Sequence, residues 1–334
     1  MLRAVFRRLP ETWRAFGRAQ VVGLQILLSL VVWVGLVIVG FGFVYHGLMY
    51  DHNFTFSGSD IGPRMDYAIY FSAGQLSTVG SSGVTPQNTL LRALSVVETL
   101  LGLGLVTLAI SFLISVFQTI TYLRTLSSDL YYSAPEASDP LSILSLYFAK
   151  GQPNGLSGFL DRLYQNLGAY YSGLRLQHTA YYYQSRSVHI SIPYAFHTLG
   201  GVIGALRWGL PEDSRVSDEP MITLLARQFT TFLSYLGSQL QWRIEEPPPA
   251  ERYEAFAQAY EGEKGSGDMW LNRFLAMDRG MRRIARSEQT PDPREAHRRY
   301  VEWLPFAYRT QRAVEWMARN LGYDLGMEVY KPRD

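Results

Sequence analysis

Ala73-Gly74-Gln75-Leu76-Ser77-Thr78-Val79-Gly80-Ser81-Ser82-Gly83-Val84-Thr85-Pro86 is a polar, glycine- and serine-rich stretch set between two long apolar runs. Upstream, no residue from Ala19 to Tyr50 bears a formal charge, and downstream Thr99 to Leu123 is equally uncharged. A hydrocarbon layer about 30 Å thick is crossed by roughly 20 helical residues, and both runs are longer than that. Irregular backbone at membrane depth survives only where protein buries it or where it lines a watery path. Thr78-Val79-Gly80 offers a hydroxyl and consecutive carbonyls, the groups that replace an ion's water shell. The stretch therefore reads as a pore loop between an outer and an inner helix.

Tyr70-Phe71-Ser72, Leu76-Ser77-Thr78-Val79-Gly80, Val84-Thr85-Pro86 and the Glu98…Gly102…Gly104 helix together resemble the two-transmembrane potassium-channel pore module. The resemblance covers roughly residues 20–120. It implies a permeating potassium ion and an ion-binding filter of Thr78, Val79, Gly80, Ser81 and Ser82. It also implies support of that filter by Ser77 and Glu98, and a gating hinge at Gly102 and Gly104. The usual family pattern, Thr-Val-Gly-Tyr-Gly-Asp, reads Thr78-Val79-Gly80-Ser81-Ser82-Gly83 here. The two inner ion sites stay recognisable, whereas the outer two lose the bracing Tyr and a Gly whose backbone shape a side chain disfavours. A carbonyl ring needs four loops and one chain supplies one, so the pore reading carries a homotetramer with it.

Composition bounds the rest. The chain has 334 residues, no cysteine, a net charge of +2 and 14% aromatic residues. Its mean hydropathy is near zero, which fits two spans and a soluble remainder. Absence of cysteine excludes disulfides, thiolate metal sites and cysteine nucleophiles. The small, dispersed charge gives no sign of a nucleic-acid partner.

In order, residues 1–20 pair five arginines and one glutamate with Leu2, Val5, Phe6, Leu9, Trp13 and Phe16, as an amphipathic interfacial helix does. A signal peptide is the rival, disfavoured by the long apolar run behind it. The arginines place the N-terminus in the cytoplasm. The first span is expected over 21–45, a polar outer loop over 46–66, a pore helix over 66–76, the filter over 77–83 and the second span over 89–122. Pro86 is expected to stop the loop. Two spans return the chain to the cytoplasm, through a linker at 123–140 into a helical cytoplasmic domain at 141–334. In that domain the spacing predicts helices near 140–150, 155–184, 193–208, 221–244, 250–261, 268–287 and 292–321, with a weak strand pattern at 188–192.

Glu98 is the ionisable residue deep in the second span, and such a carboxylate is a functional hypothesis by default. The resemblance gives it a structural task, anchoring the pore helix or the rear of the filter. Gly102 and Gly104 serve equally as packing positions. Gly200-Gly201-Val202-Ile203-Gly204 lacks dinucleotide-binding spacing and reads as helix packing. His178, His189 and His197 read as packing residues rather than metal ligands. No catalytic motif stands out.

The fold class is thus an all-α membrane protein: a two-transmembrane pore-loop module with a C-terminal helical domain. The expected function is a tetrameric, non-enzymatic cation channel in the cell membrane, most simply for potassium, tethered or gated by the helical domain. Its partners are lipid, copies of itself and an unidentified cytoplasmic ligand; it uses no cofactor and no metal beyond the permeating monovalent ion. The alternatives are a weakly selective channel, a non-conducting channel-derived signalling protein, and a membrane-anchored enzyme.

Overall fold

The computed structural model describes residues 11–50, 52–57, 65–80, 83–133, 139–185, 187–211, 219–243, 245–262, 266–287 and 292–323, with side chains from Leu27 onward. The first half of the expected interfacial segment, residues 1–10, lies outside them, as do Ser81 and Ser82. The chain divides into two compact units, Gln20–Phe117 and a second made of Met1–Ala19 with Gln118–Asp334.

α1 (Glu11–Leu48), of which Gln20–Leu48 belongs to the first unit, begins ten residues before the expected span. Pro10 comes just before it in the sequence, a position where proline is tolerated. Its far end is closed by Asn53, whose Nδ2 donates to the Leu48 carbonyl at 3.0 Å. The apolar stretch Leu27–Leu48 is 22 residues long, and at 1.5 Å per residue it covers a bilayer core. Leu27, Trp33, Leu36 and Phe43 are all exposed in the single chain. So are Leu100, Leu108 and Phe117 on the second apolar helix. Contiguous apolar surface of this kind is solvated by lipid or by protein, not by water.

The short α2 (Met65–Leu76) carries Asp66 in its first turn, where the helix dipole favours an anion. It buries Ala68, Phe71, Ser72 and Leu76. Ile69 lies against Gly42 of α1, where a Cβ would come within 3.1 Å of it. Two short strands follow no expectation. β1 (Phe54–Phe56) lies in the expected polar loop and pairs antiparallel with β2 (Val84–Pro86), Phe54 facing Pro86 and Phe56 facing Val84. Pro86 thus ends a strand instead of merely stopping a loop. The reason is burial: Phe54 and Val84 join Tyr45, Met49, Phe71 and Leu91 in one core. Tyr45 and Phe54 meet Phe71 edge-on, with ring centroids at 4.8 and 5.6 Å, a favoured aromatic geometry.

Asn88 opens α3 (Thr89–Tyr132), its Oδ1 accepting from the Leu90 amide at 2.9 Å, as an N-cap does. The helix runs ten residues beyond its expected end, taking much of the linker expected at 123–140. Packing overrides the breaker composition here. Leu123, Leu126 and Leu130 are buried at helical spacing, and Asn166 of the helical unit donates to Asp129 at 2.8 Å. α3 therefore contributes residues to both units.

In the second unit Asp139 caps the short α4 (Pro140–Ser145), accepting from the Leu141 and Ser142 amides. The helix expected through 150 stops there. Lys150 and Gly151 take positive φ (53° and 83°) to turn a small hairpin of β3 (Phe148–Ala149) and β4 (Gln152–Pro153). α5 (Leu156–Leu176) follows, then a 3₁₀ turn at His178–Tyr182. The weak strand pattern at 188–192 is a 3₁₀ turn, Val188–Ile190.

α6 (Ile192–Trp208) is capped by Ser191 and buried along nearly its whole length. It is the centre of the unit, with α4, α7 (Pro220–Leu240) and α10 (Pro293–Leu321) packed on it. Gly200 and Gly204 admit Thr310, Phe229 and Trp303 against its backbone, so the glycine run serves helix packing. α7 ends four residues early at Gln241 (φ 53°), because Trp242 folds back over Gly237. α8 (Tyr253–Glu261), α9 (Met269–Ala285, capped by Asp268) and α10 (capped by Asp292) complete the unit. They enclose Phe256, Trp270, Phe274, Tyr300 and Trp303.

Candidate pore loop and its supports

The loop from Ser77 to Gly80 leaves the C-terminal end of α2. Ser77 N donates to Ala73 O at 3.0 Å, Thr78 N to Gln75 O at 3.1 Å and Gly80 N to Gly74 O at 3.0 Å. Ser77 also donates through Oγ to Gly74 O at 3.2 Å. Thr78 and Gly80 adopt positive φ, 62° and 79°. That is an unusual shape for a β-branched residue and marks a place to look for function. The last carbonyls of α2 are thus taken up by amides of the loop itself. Among the described residues, no hydrogen bond ends on the carbonyl oxygens of Thr78, Val79 or Gly80. Val79 is 85% exposed. Among the described residues the loop turns the amides of Ser77, Thr78 and Gly80 back onto α2 and leaves these oxygens without a donor.

Its outer end is held by the small ladder. Ser57 N donates to Gly83 O at 2.9 Å and Gln87 N to Asn53 O at 2.8 Å. Gln87 Nε2 reaches Thr55 Oγ1 at 2.6 Å, and Arg92 Nε reaches Pro86 O at 2.9 Å.

Glu98 is fully buried on α3. Tyr45 Oη of α1 donates to its Oε2 at 2.8 Å. Ser72 Oγ of α2 lies 2.5 Å from its Oε1 and 3.0 Å from the Ile38 carbonyl of α1. One carboxyl group therefore ties all three helices together behind the loop. Tyr45 did not stand out in the sequence, and Ser72 did so only within the Tyr70-Phe71-Ser72 stretch of the resemblance, with no task of its own. They lie 53 and 26 residues from Glu98, and no local pattern announces a contact at that separation.

The two glycines part company. Gly102 is covered by the Leu76 backbone, and a Cβ there would fall inside the Leu76 carbonyl oxygen. Gly104 has nothing within 4 Å of the place a Cβ would take. α3 passes through both without a break. Gly102 is thus the point where the end of α2 rests on α3.

Of the histidines, His178 pairs with the Tyr235 hydroxyl at 2.9 Å, and His189 lies 4.6 Å from the ring of Tyr131. Among the described residues no group of His, Asp and Glu is arranged to hold a metal ion.

Comparison with known proteins finds no match among curated proteins and none among solved structures. A family model does match. Residues 33–119, from inside α1 to the middle of α3, fit the one described as Ion channel (Ion_trans_2). That segment holds α2, the loop, the strand pair and Glu98, so it is this part of the chain that is similar to an ion channel of that family.

Proposed function

We propose that four copies of the chain meet around one axis, where Thr78, Val79 and Gly80, continued by Ser81 and Ser82, turn their peptide oxygens on a passing potassium ion. The observation that carries this reading is the loop itself. Its amides fold back onto α2 while the oxygens of Thr78, Val79 and Gly80 accept no hydrogen bond from the described residues. Oxygens left bare by their own chain are what an ion shedding water requires. A single loop supplies a quarter of such a ring. The apolar exposed faces of α1 and α3 supply surface for lipid and neighbouring copies. Because α3 contributes residues to both units, the helical unit, with both chain ends in the cytoplasm, is the tether or gate.

A second reading is favoured by Ser81-Ser82-Gly83. Without the bracing Tyr and the second Gly, discrimination of potassium from sodium is weaker than in a strict potassium pore. Flux of each ion into liposomes holding the purified chain decides between them. The parent is expected to pass both with a modest preference for potassium, and S81Y/S82G/G83D to sharpen that preference. If neither parent nor variant passes current, or the detergent-solubilised particle is not fourfold, conduction is the wrong reading.

A further inference from the structure

The helical unit contains an open cleft of about 600 Å³ between α7 and α10, lined also by Trp242, Glu245 and Glu246. Its size lies in the range of small-molecule sites. We infer that it binds a small organic cation, an ammonium or guanidinium group on an apolar body.

The charge of its walls selects the sign. Glu245, Glu246 and Glu302 line the cleft against one cation, Arg309. Glu245 is already engaged, by Arg312 at 3.5 Å and by the Tyr308 hydroxyl at 3.4 Å. Glu302 accepts only a long bond, 3.4 Å, from the Trp208 indole N–H. Glu246 and Arg309 have no ion pair among the described residues. With Arg309 set against one carboxylate, an uncompensated negative charge remains, and an anionic ligand is repelled.

The other walls select the body. Trp242 and Phe306 flank the acids, and aromatic faces attract a cation as well as hydrocarbon. Gly237 is what lets Trp242 stand there, since a Cβ on it would overlap the indole. Thr310, also in the lining, is only 7% exposed, and its Oγ1 has no hydrogen-bond partner among the described residues. Its methyl faces Gly200 of α6. A buried hydroxyl without a partner is uncommon in native proteins, and this one belongs to a residue of the cleft lining.

Isothermal titration of the full chain in detergent with benzylammonium chloride tests this, with benzyl alcohol, sodium benzoate and calcium chloride as controls at matched ionic strength. Saturable binding of benzylammonium alone is expected. E246Q/E302Q is expected to weaken it about tenfold or more. Both side chains are exposed, so the variant should keep the parent's melting temperature. No saturable benzylammonium binding, equal binding of benzyl alcohol, or binding of calcium alone overturns the inference. So does binding that the variant leaves unchanged, which would place the cation elsewhere, for instance in the pore. The readout involves no ion flux, so its failure is separate from failure of the channel reading.

Discussion

In the pore unit, fully buried Glu98 is met by two hydroxyls, those of Tyr45 and Ser72. In the helical unit Asp278, 1% exposed, is met by two guanidinium groups, Arg282 at 2.9 Å and Arg299 at 2.8 Å. Tyr260 adds a hydroxyl at 3.2 Å. Arg299 is itself buried and spans outward, giving Nη1 to the Trp208 carbonyl at 2.6 Å and lying 3.2 Å from Glu295. Its contact with Asp278 is one of charge on charge, since the Asp278 Oδ1 and Arg299 Nη2 atoms are not aligned as a hydrogen bond. The difference follows from the surroundings. A segment that crosses hydrocarbon cannot carry a compensating arginine without burying a second charge. The helical unit does bury that second charge, Arg299, and surrounds it with Asp278, Glu295 and the Trp208 carbonyl.

The largest expected effect bears on the charged site. Removing one partner from a buried ion pair destabilises by about 3–5 kcal/mol, because the other charge stays behind. Arg299→Met should therefore lower the melting temperature of the helical unit by roughly 10 °C. A calorimetric melt unchanged by this substitution would break the contrast.

Gly102 and Gly104 sharpen it from the other side, because the pore unit is held by close approach where the helical unit is held by charge. Gly102→Val forces a side chain into the Leu76 carbonyl and should cost about 1–3 kcal/mol. The expected result is loss of assembled particle on size-exclusion chromatography. Gly104→Ala, with open space around it, should leave the particle intact.

Glu98 gives a graded version. Glu98→Gln keeps an acceptor for Tyr45 and offers a donor to Ser72, which can then donate to the Ile38 carbonyl. It should be close to neutral. Glu98→Leu leaves the buried Tyr45 hydroxyl without its partner, while Ser72 keeps the Ile38 carbonyl, at about 1–3 kcal/mol. Equal thermal stability of the two variants would show that the three-helix tie carries no weight.

The smallest effect is a pH dependence. Burial, and next the charge of Asp278, push the Tyr260 hydroxyl from 10.0 up to about 12. A group that holds its proton more tightly when folded stabilises the fold fully below its unfolded value. That contribution fades as pH rises from 10 towards 12. Denaturant midpoints across this window should fall with pH, and less steeply in Tyr260→Phe.

The two apolar helices and the pore helix were legible because hydrophobic length and an acid at a helix start are local signals, readable at Val21–Tyr45 and at Asp66. Two helix starts were equally legible: the helices expected from 268 and 292 begin there, each capped by its Asp. What stayed hidden is non-local. Phe54-Thr55-Phe56 is too short to declare a strand, and its partner lies beyond the whole of α2. Residues 123–132 look like a linker until the burial of Leu123, Leu126 and Leu130 shows why they stay helical. Asp278 and Arg299 look like any charged pair on two amphipathic helices, and only the fold reveals that both point inward. The residues proposed as a filter were legible by type. Their setting, amides turned back and oxygens left bare, belongs to a backbone geometry that spacing does not encode.

The strand pair at the outer end has a further consequence. Gly83 and Val84 are fixed by Ser57 and Phe56, and Leu76 is fixed by its seat on Gly102. Only the stretch from Ser77 to Ser82 lies between those two moorings. Fixing a backbone residue costs about 1–2 kcal/mol in conformational freedom. Within that stretch Ser77, Thr78 and Gly80 are already held by their amides on Ala73, Gln75 and Gly74, so under the proposed assembly part of this cost is met within each chain.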